Sequence, residues 1–145
     1  MRWFIDGSVV DGKWPELAVA TAAIVVVGDD GSLLAYAEAL LPPTVLTAAA
    51  AEAHGLMLAI QCSVCTPRAV TDCKSLLATA DAGSARATAA SKTLAGVWSV
   101  MVACLDGDLR RLVACGLLRW VPAHKSCAQA IRLRASDGEL VTVGE

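Results

Sequence analysis

The segment "TVLTAAAAEAHGLMLAIQC", residues 44–62, restricts what this chain can fold into more than any other stretch. Its run of alanines, leucines and methionine favours a helix. Thr47 stands where an N-cap hydroxyl would close the first turn. The predicted helix is apolar almost all round, so it must be buried rather than lie on a surface.

The segments before it read as strands. In "RWFIDGS", residues 3–5 form an apolar run that ends on Asp6, followed by Gly7 and Ser8. "LAVATAAIVVV" (17–27) is rich in β-branched residues and predicts a second strand, and "LLAYAEAL" (33–40) a third. Asp11-Gly12, with Pro15 limiting pairing there, and "GDDGS" (28–32) are turn signals, so the three strands form an antiparallel meander that Pro42-Pro43 ends. After the helix, "PRAV" predicts a short fourth strand running into "TDCKSLLATA", helical over 74–80, with Gly83-Ser84 as a break. One or two helices follow over 85–105, with Gly96 a weak point. A further helix over 110–115 is closed by Gly116. Residues 117–121 give a fifth strand, and "AIRLRASDGELVTVGE" a terminal hairpin around Asp137-Gly138. The order βββαβα(α)β, with a buried helix between two strands, implies a parallel crossover and hence an α/β fold with a five-stranded mixed sheet flanked by helices. Ligands gather at the strand ends along one edge of such a sheet.

Composition narrows the class. The 145 residues suit one domain, 1–145, and 56% hydrophobic against 18% charged residues excludes a disordered chain. A mean hydropathy of +0.57 raises a membrane reading. The longest apolar stretches, 17–27 and 94–105, fall short of the roughly 20 residues that span a bilayer. Asp6 interrupts any leader-like apolar segment. The expectation is a soluble, intracellular protein, cytoplasmic or nuclear, with no membrane partner. Six cysteines (62, 65, 73, 104, 115, 127) sit among apolar neighbours, as core thiols do. Cys62 and Cys65 form a CxxC at the end of a helical pattern, with no second ligand pair for zinc, so they read as core or helix-end residues. Charge is uneven along the chain. Residues 1–60 carry two basic and seven acidic residues, whereas from Arg110 onward six basic face three acidic. A polyanion bound across the tail and a solvated surface both accommodate that asymmetry.

Three carboxylates hold comparable places. Asp6 closes the first strand, Glu52 sits inside the apolar helix, and Asp72 follows the fourth strand. Singly, the two aspartates suit turns or caps, and Glu52 a solvated helix position. Jointly they predict a cation site, because parallel strands and a crossover helix can bring all three to one point. Three clustered anions raise one another's pKa unless a divalent ion neutralises them, and hard oxygen ligands suit Mg²⁺ or Mn²⁺.

The "IDGS" of the first strand, "AEAHGLMLAI", "VTDCKSLL" and "RWVPAHKS" resemble, in this order, the motifs of type 1 ribonuclease H, most closely the domain at the end of retroelement reverse-transcriptase polyproteins. The resemblance covers residues 2 to about 126. It implies the ribonuclease H-like fold and an endonuclease that cuts the RNA strand of an RNA–DNA hybrid with two Mg²⁺ or Mn²⁺ ions. It also implies a linked reverse transcriptase domain as a partner. Asp6 would bridge both ions, Asp72 would hold the ion that activates water, and Glu52 would help hold the other. His124 would shuttle protons, for which a pKa near 6.5 is suited. Gly7 and Ser8 match the backbone that lies along the RNA minor groove, where the 2′-hydroxyl marks RNA, and Lys125 would contact phosphate. His54 has no such motif and is expected to pack beside its helix.

The chain departs from the family after the histidine loop. The family's fourth carboxylate lies on a last helix, whereas this chain stops at Glu145, as though truncated before it. Asp137, in "SDGEL", is expected at a hairpin tip facing solvent. Cys73, Lys74 and the alanines at 48–50 also replace more polar residues of the family pattern. The expectation is an impaired nuclease. The alternatives are an inactive nucleic-acid-binding or scaffolding module of the same fold, and an integrase- or resolvase-like nuclease acting on DNA.

Overall fold

A computed structural model of the chain describes residues 1–122 and 133–141. Strands β1 (Arg2–Val10), β2 (Val19–Val27) and β3 (Leu33–Leu40) form the expected antiparallel meander. Helix α1 (Ala48–Cys62) returns the chain to the other edge of β1. There β4 (Ala69–Thr71) runs parallel to β1, and β5 (Leu118–Trp120) runs parallel to β4. Between β4 and β5 lie α2 (Lys74–Ala82), α3 (Ser84–Ala87), α4 (Ala95–Cys104) and α5 (Arg110–Ala114). The strand order is β3-β2-β1-β4-β5, a mixed sheet flanked by helices. Among the described residues no helix is long and apolar enough to cross a membrane.

Thr47 caps α1 as expected, its hydroxyl accepting from the Ala50 amide at 3.2 Å. The apolar circumference of α1 has a plain cause: one side packs on β1 and β2, another on α4. Leu56, Ala59 and Ile60 join Ile5, Ile24, Trp98 and Met101 in the main core. Alternation along β4 sends Ala69 into that core and Val70 to the opposite face. There Val70 meets Phe4, Val121, Leu133, Ala135 and Val141, so the segment 133–141 covers this half of the sheet.

Two expectations need correcting. The first strand does not end at Asp6. β2 pairs with β1 along its whole length, from Arg2↔Val27 to Val10↔Val19, so Gly7 and Ser8 stay extended and the turn comes at Asp11, with φ of 55°. The cysteines are not core thiols: Cys62, Cys65, Cys104 and Cys115 are exposed and Cys73 is partly so. Cys62 and Cys65 fall at and just beyond the end of α1, past the part of the helix that the sheet covers. Cys127 lies outside the described residues.

Gly7 explains how closely α1 approaches the sheet. A Cβ on Gly7 would lie 2.3 Å from the backbone nitrogen of Glu52 and 2.6 Å from the Ala51 carbonyl carbon. One turn along the helix, a Cβ on Gly55 would meet Ile5 Cγ2 at 2.7 Å. Backbone cannot step aside as a side chain can. Gly7→Ala is therefore expected to destabilise the protein by about 3 kcal/mol, at the upper end of overpacking costs. A thermal melt of the variant checks this, and an unchanged Tm would show that the helix rides higher on the sheet.

Candidate metal centre

The β1–β4 ladder ends at Phe4↔Val70. Asp6 and Asp72 each lie two residues beyond that pair. With a side-chain period of two, parallel register sets them side by side where the strands part. Glu52 comes to the same point from α1, whose backbone Gly7 admits against β1. One carboxylate oxygen from each of Asp6, Glu52 and Asp72 lies within 4.8 Å of the others. The sequence expectation of convergence is met, although the strand carries Asp6 mid-length rather than at its end.

The three acids sit in unequal surroundings. Asp6 is exposed, Asp72 is half-buried, and Glu52 is only 5% exposed. Burial is the main cause that pushes the Glu52 carboxyl from its ordinary 4.5 up to about 8. A hydrogen bond with Asp72 adds to the rise, the Thr71 hydroxyl opposes it, and the charges of Asp72 and Asp6 add further. At neutral pH without a cation, Glu52 therefore keeps its proton and the cluster carries less negative charge than three carboxylates would.

Thr71 joins the site without a sequence signal of its role. Its hydroxyl donates to Glu52 Oε2 and accepts from the Cys73 amide at 3.0 Å. One buried side chain, 1% exposed, thus ties the helix carboxylate to the backbone around Asp72. A threonine ending a strand carries no sequence signal beyond β propensity, because only the tertiary fold shows what its hydroxyl meets.

The donor set fits a hard divalent cation: oxygen ligands only, from three carboxylates, with one buried acid whose ionisation a cation would favour. No single element of the set distinguishes Mg²⁺ from Mn²⁺.

The other sequence candidates lie apart or outside. Ser8 is exposed and its hydroxyl shares a hydrogen bond of 2.9 Å with Thr21 across β1 and β2. His54 Nδ1 lies 2.8 Å from the Ala50 carbonyl, within its own helix. Asp137 sits in the expected turn, with Gly138 at φ of 82°. Its carboxylate is not free in solvent, since it pairs with Arg119 Nε at 2.8 Å and also accepts from the Glu139 amide at 3.0 Å. It is not one of the three clustered acids. His124 and Lys125 lie outside the described residues.

Compared with known protein families, with curated proteins and with solved structures, the chain matches none.

Proposed function

We propose that the protein is a divalent-metal-dependent endonuclease of ribonuclease H type, acting on the RNA strand of RNA–DNA hybrids. What supports it above all is the meeting of Asp6, Glu52 and Asp72 where two parallel central strands part. The β-meander, crossover helix and mixed sheet are compatible with the ribonuclease H-like fold.

In this proposal Asp6, Glu52 and Asp72 hold Mg²⁺ or Mn²⁺. When bound, the ions supply an activated water and neutralise charge building on the leaving 3′-oxygen. The chain's own residues do the rest. Exposed Asp6 and half-buried Asp72 face the substrate side, while buried Glu52 anchors the site from the helix. His124 carries a proton at the leaving group. The backbone at Gly7 and Ser8 lies along the RNA minor groove, and Lys125 holds a phosphate. Because Asp137 is engaged by Arg119, a second ion would rest, among the described residues, on Asp6 and Glu52, which implies weak turnover in Mg²⁺.

The test is an end-labelled RNA–DNA hybrid incubated with the purified protein and Mg²⁺ or Mn²⁺. The expected result is scission of the RNA strand, faster in Mn²⁺, absent with EDTA and lost in Asp6→Asn. Hybrid binding with no metal-dependent scission would point instead to an inactive module of the same fold. Preferential cutting of duplex DNA would point to an integrase- or resolvase-like enzyme.

A further inference from the structure

Asp72 stands at an awkward point of the backbone. β4 is only three residues long and ends at Thr71, so Asp72 has left the ladder before α2 begins. Its side chain belongs to the acidic cluster. The peptide before it is held by the continuation of β5, the Val121 amide donating to the Thr71 carbonyl at 2.9 Å. The peptide after it is held by two side chains. On one side the Thr71 hydroxyl accepts from the Cys73 amide. On the other, Trp120 Nε1 donates to the Asp72 carbonyl oxygen at 2.8 Å.

Trp120 is itself held from several directions. Its amide donates to Ser136 Oγ at 3.0 Å, and its carbonyl accepts from the Ser136 amide at 3.1 Å. The Lys74 ammonium lies 5.2 Å from its ring centroid, a cation–π contact that resists rotation of the indole. Arg119, next along β5, pairs with Asp137 and donates to the Leu140 carbonyl at 3.4 Å, fastening the same turn. A chain of contacts therefore runs from the 133–141 turn through Trp120 to the peptide that carries Asp72.

We infer that Trp120 is a positioning residue for the metal centre, its indole N–H holding the Asp72 peptide so that the carboxylate faces Asp6 and Glu52, with Ser136 bracing the tryptophan from behind. The role presupposes that the three carboxylates hold a cation. It assigns to the segment 133–141 a part in the site without contributing a ligand. A tryptophan kept only for packing would tolerate loss of its N–H with no effect at the metal, whereas a positioning donor would not.

The experiment is a Mn²⁺ titration of the full chain, read from the paramagnetic resonance signal of free Mn²⁺, on wild type, Trp120→Phe, Ser136→Ala and Asp6→Asn. Trp120→Phe keeps an aromatic ring under Lys74 and removes the donor. Loss of one hydrogen bond predicts a Kd weakened by roughly three- to tenfold. Ser136 is exposed, so Ser136→Ala folds, and it is expected to weaken binding by about twofold to threefold through the tryptophan backbone. Val113→Ala, in a partly buried position on α5, serves as a control that lowers Tm and leaves the Kd unchanged. If wild type binds Mn²⁺ in a way that Asp6→Asn abolishes, while both Trp120→Phe and Ser136→Ala bind as wild type does, the positioning role is wrong and the metal centre stands. Should Trp120→Phe not fold, an unchanged Kd in Ser136→Ala alone overturns it. If wild type binds no Mn²⁺, the metal centre fails and the role of Trp120 falls with it.

Discussion

Binding of Mn²⁺ by this protein is expected to tighten by up to about tenfold for each pH unit between roughly 6 and 8, then level off. The cause is the Glu52 carboxyl, which burial holds at about 8. Below that value a cation must displace the proton before the carboxylate can serve as a ligand, and the displacement is harder the lower the pH. Above it the ligand is already ionised and pH no longer matters. Glu52→Gln cannot ionise, so its weaker binding is expected to show a flat profile over the same range. Asp6→Asn and Asp72→Asn remove ligands from the exposed side. Their loss of affinity is expected to exceed the roughly 10–100-fold that loss of an outer partner costs. Isothermal titration in buffers of different ionisation enthalpy would count the proton released. A pH-independent wild-type affinity with no proton release would show that the cation does not use Glu52.

Without metal, Glu52→Gln is expected to stabilise the protein, and increasingly so as pH rises. The unfolded chain loses the Glu52 proton near 4.5, whereas the folded chain keeps it to about 8. Between these values the native state binds more protons than the unfolded one, so wild-type stability falls with rising pH, by up to about 1.4 kcal/mol per unit. The contribution is fully present below about 4.5 and fully lost above about 8. Over that window the penalty reaches several kcal/mol, a large share of the stability of a small domain. Glutamine retains an oxygen that can accept from Thr71 and carries no charge to bury. Urea melts of both proteins in EDTA at pH 5 and pH 9 measure the effect. Parallel pH profiles for wild type and variant would show that Glu52 is hydrated after all. A substitution that stabilises the empty protein and weakens metal binding is the mark of a residue kept for function.

How much of this was legible in the sequence varied with the kind of interaction involved. The meander, the capped helix and the later helices follow from local chemistry: β-branched runs, turn residues and Thr47. Of the one or two helices expected over 85–105 the structure has two, but the weak point expected at Gly96 lies within the first turn of α4, and the break falls before Ala95. The three acids could be singled out because a carboxylate is conspicuous in apolar company, Glu52 above all. The strand boundary at Asp6 was misjudged for a related reason. Polarity in an apolar run suggests the end of pairing, but β2 continues alongside β1 regardless of the side chain at Asp6. Thr71 and Trp120 lie inside the motifs, but nothing in the sequence marks their roles, because each acts through a hydrogen bond to a group distant in the chain. Asp137 could be placed in its turn from Asp-Gly alone, yet its pairing with Arg119 depends on how the 133–141 segment folds back onto β5.

The missing side chain at position 7 has a consequence beyond fit. The atom it makes room for is the amide nitrogen of Glu52, one of the residues that would grip the ion, and Gly7 directly follows Asp6, another. Strand and helix are thus keyed together at the root of two donors, leaving little play in the gap between their carboxylates. If the three carboxylates hold a cation as proposed, such a stiff jaw is expected to discriminate by ionic radius, favouring a small octahedral ion over the wider, more irregular shell that calcium prefers.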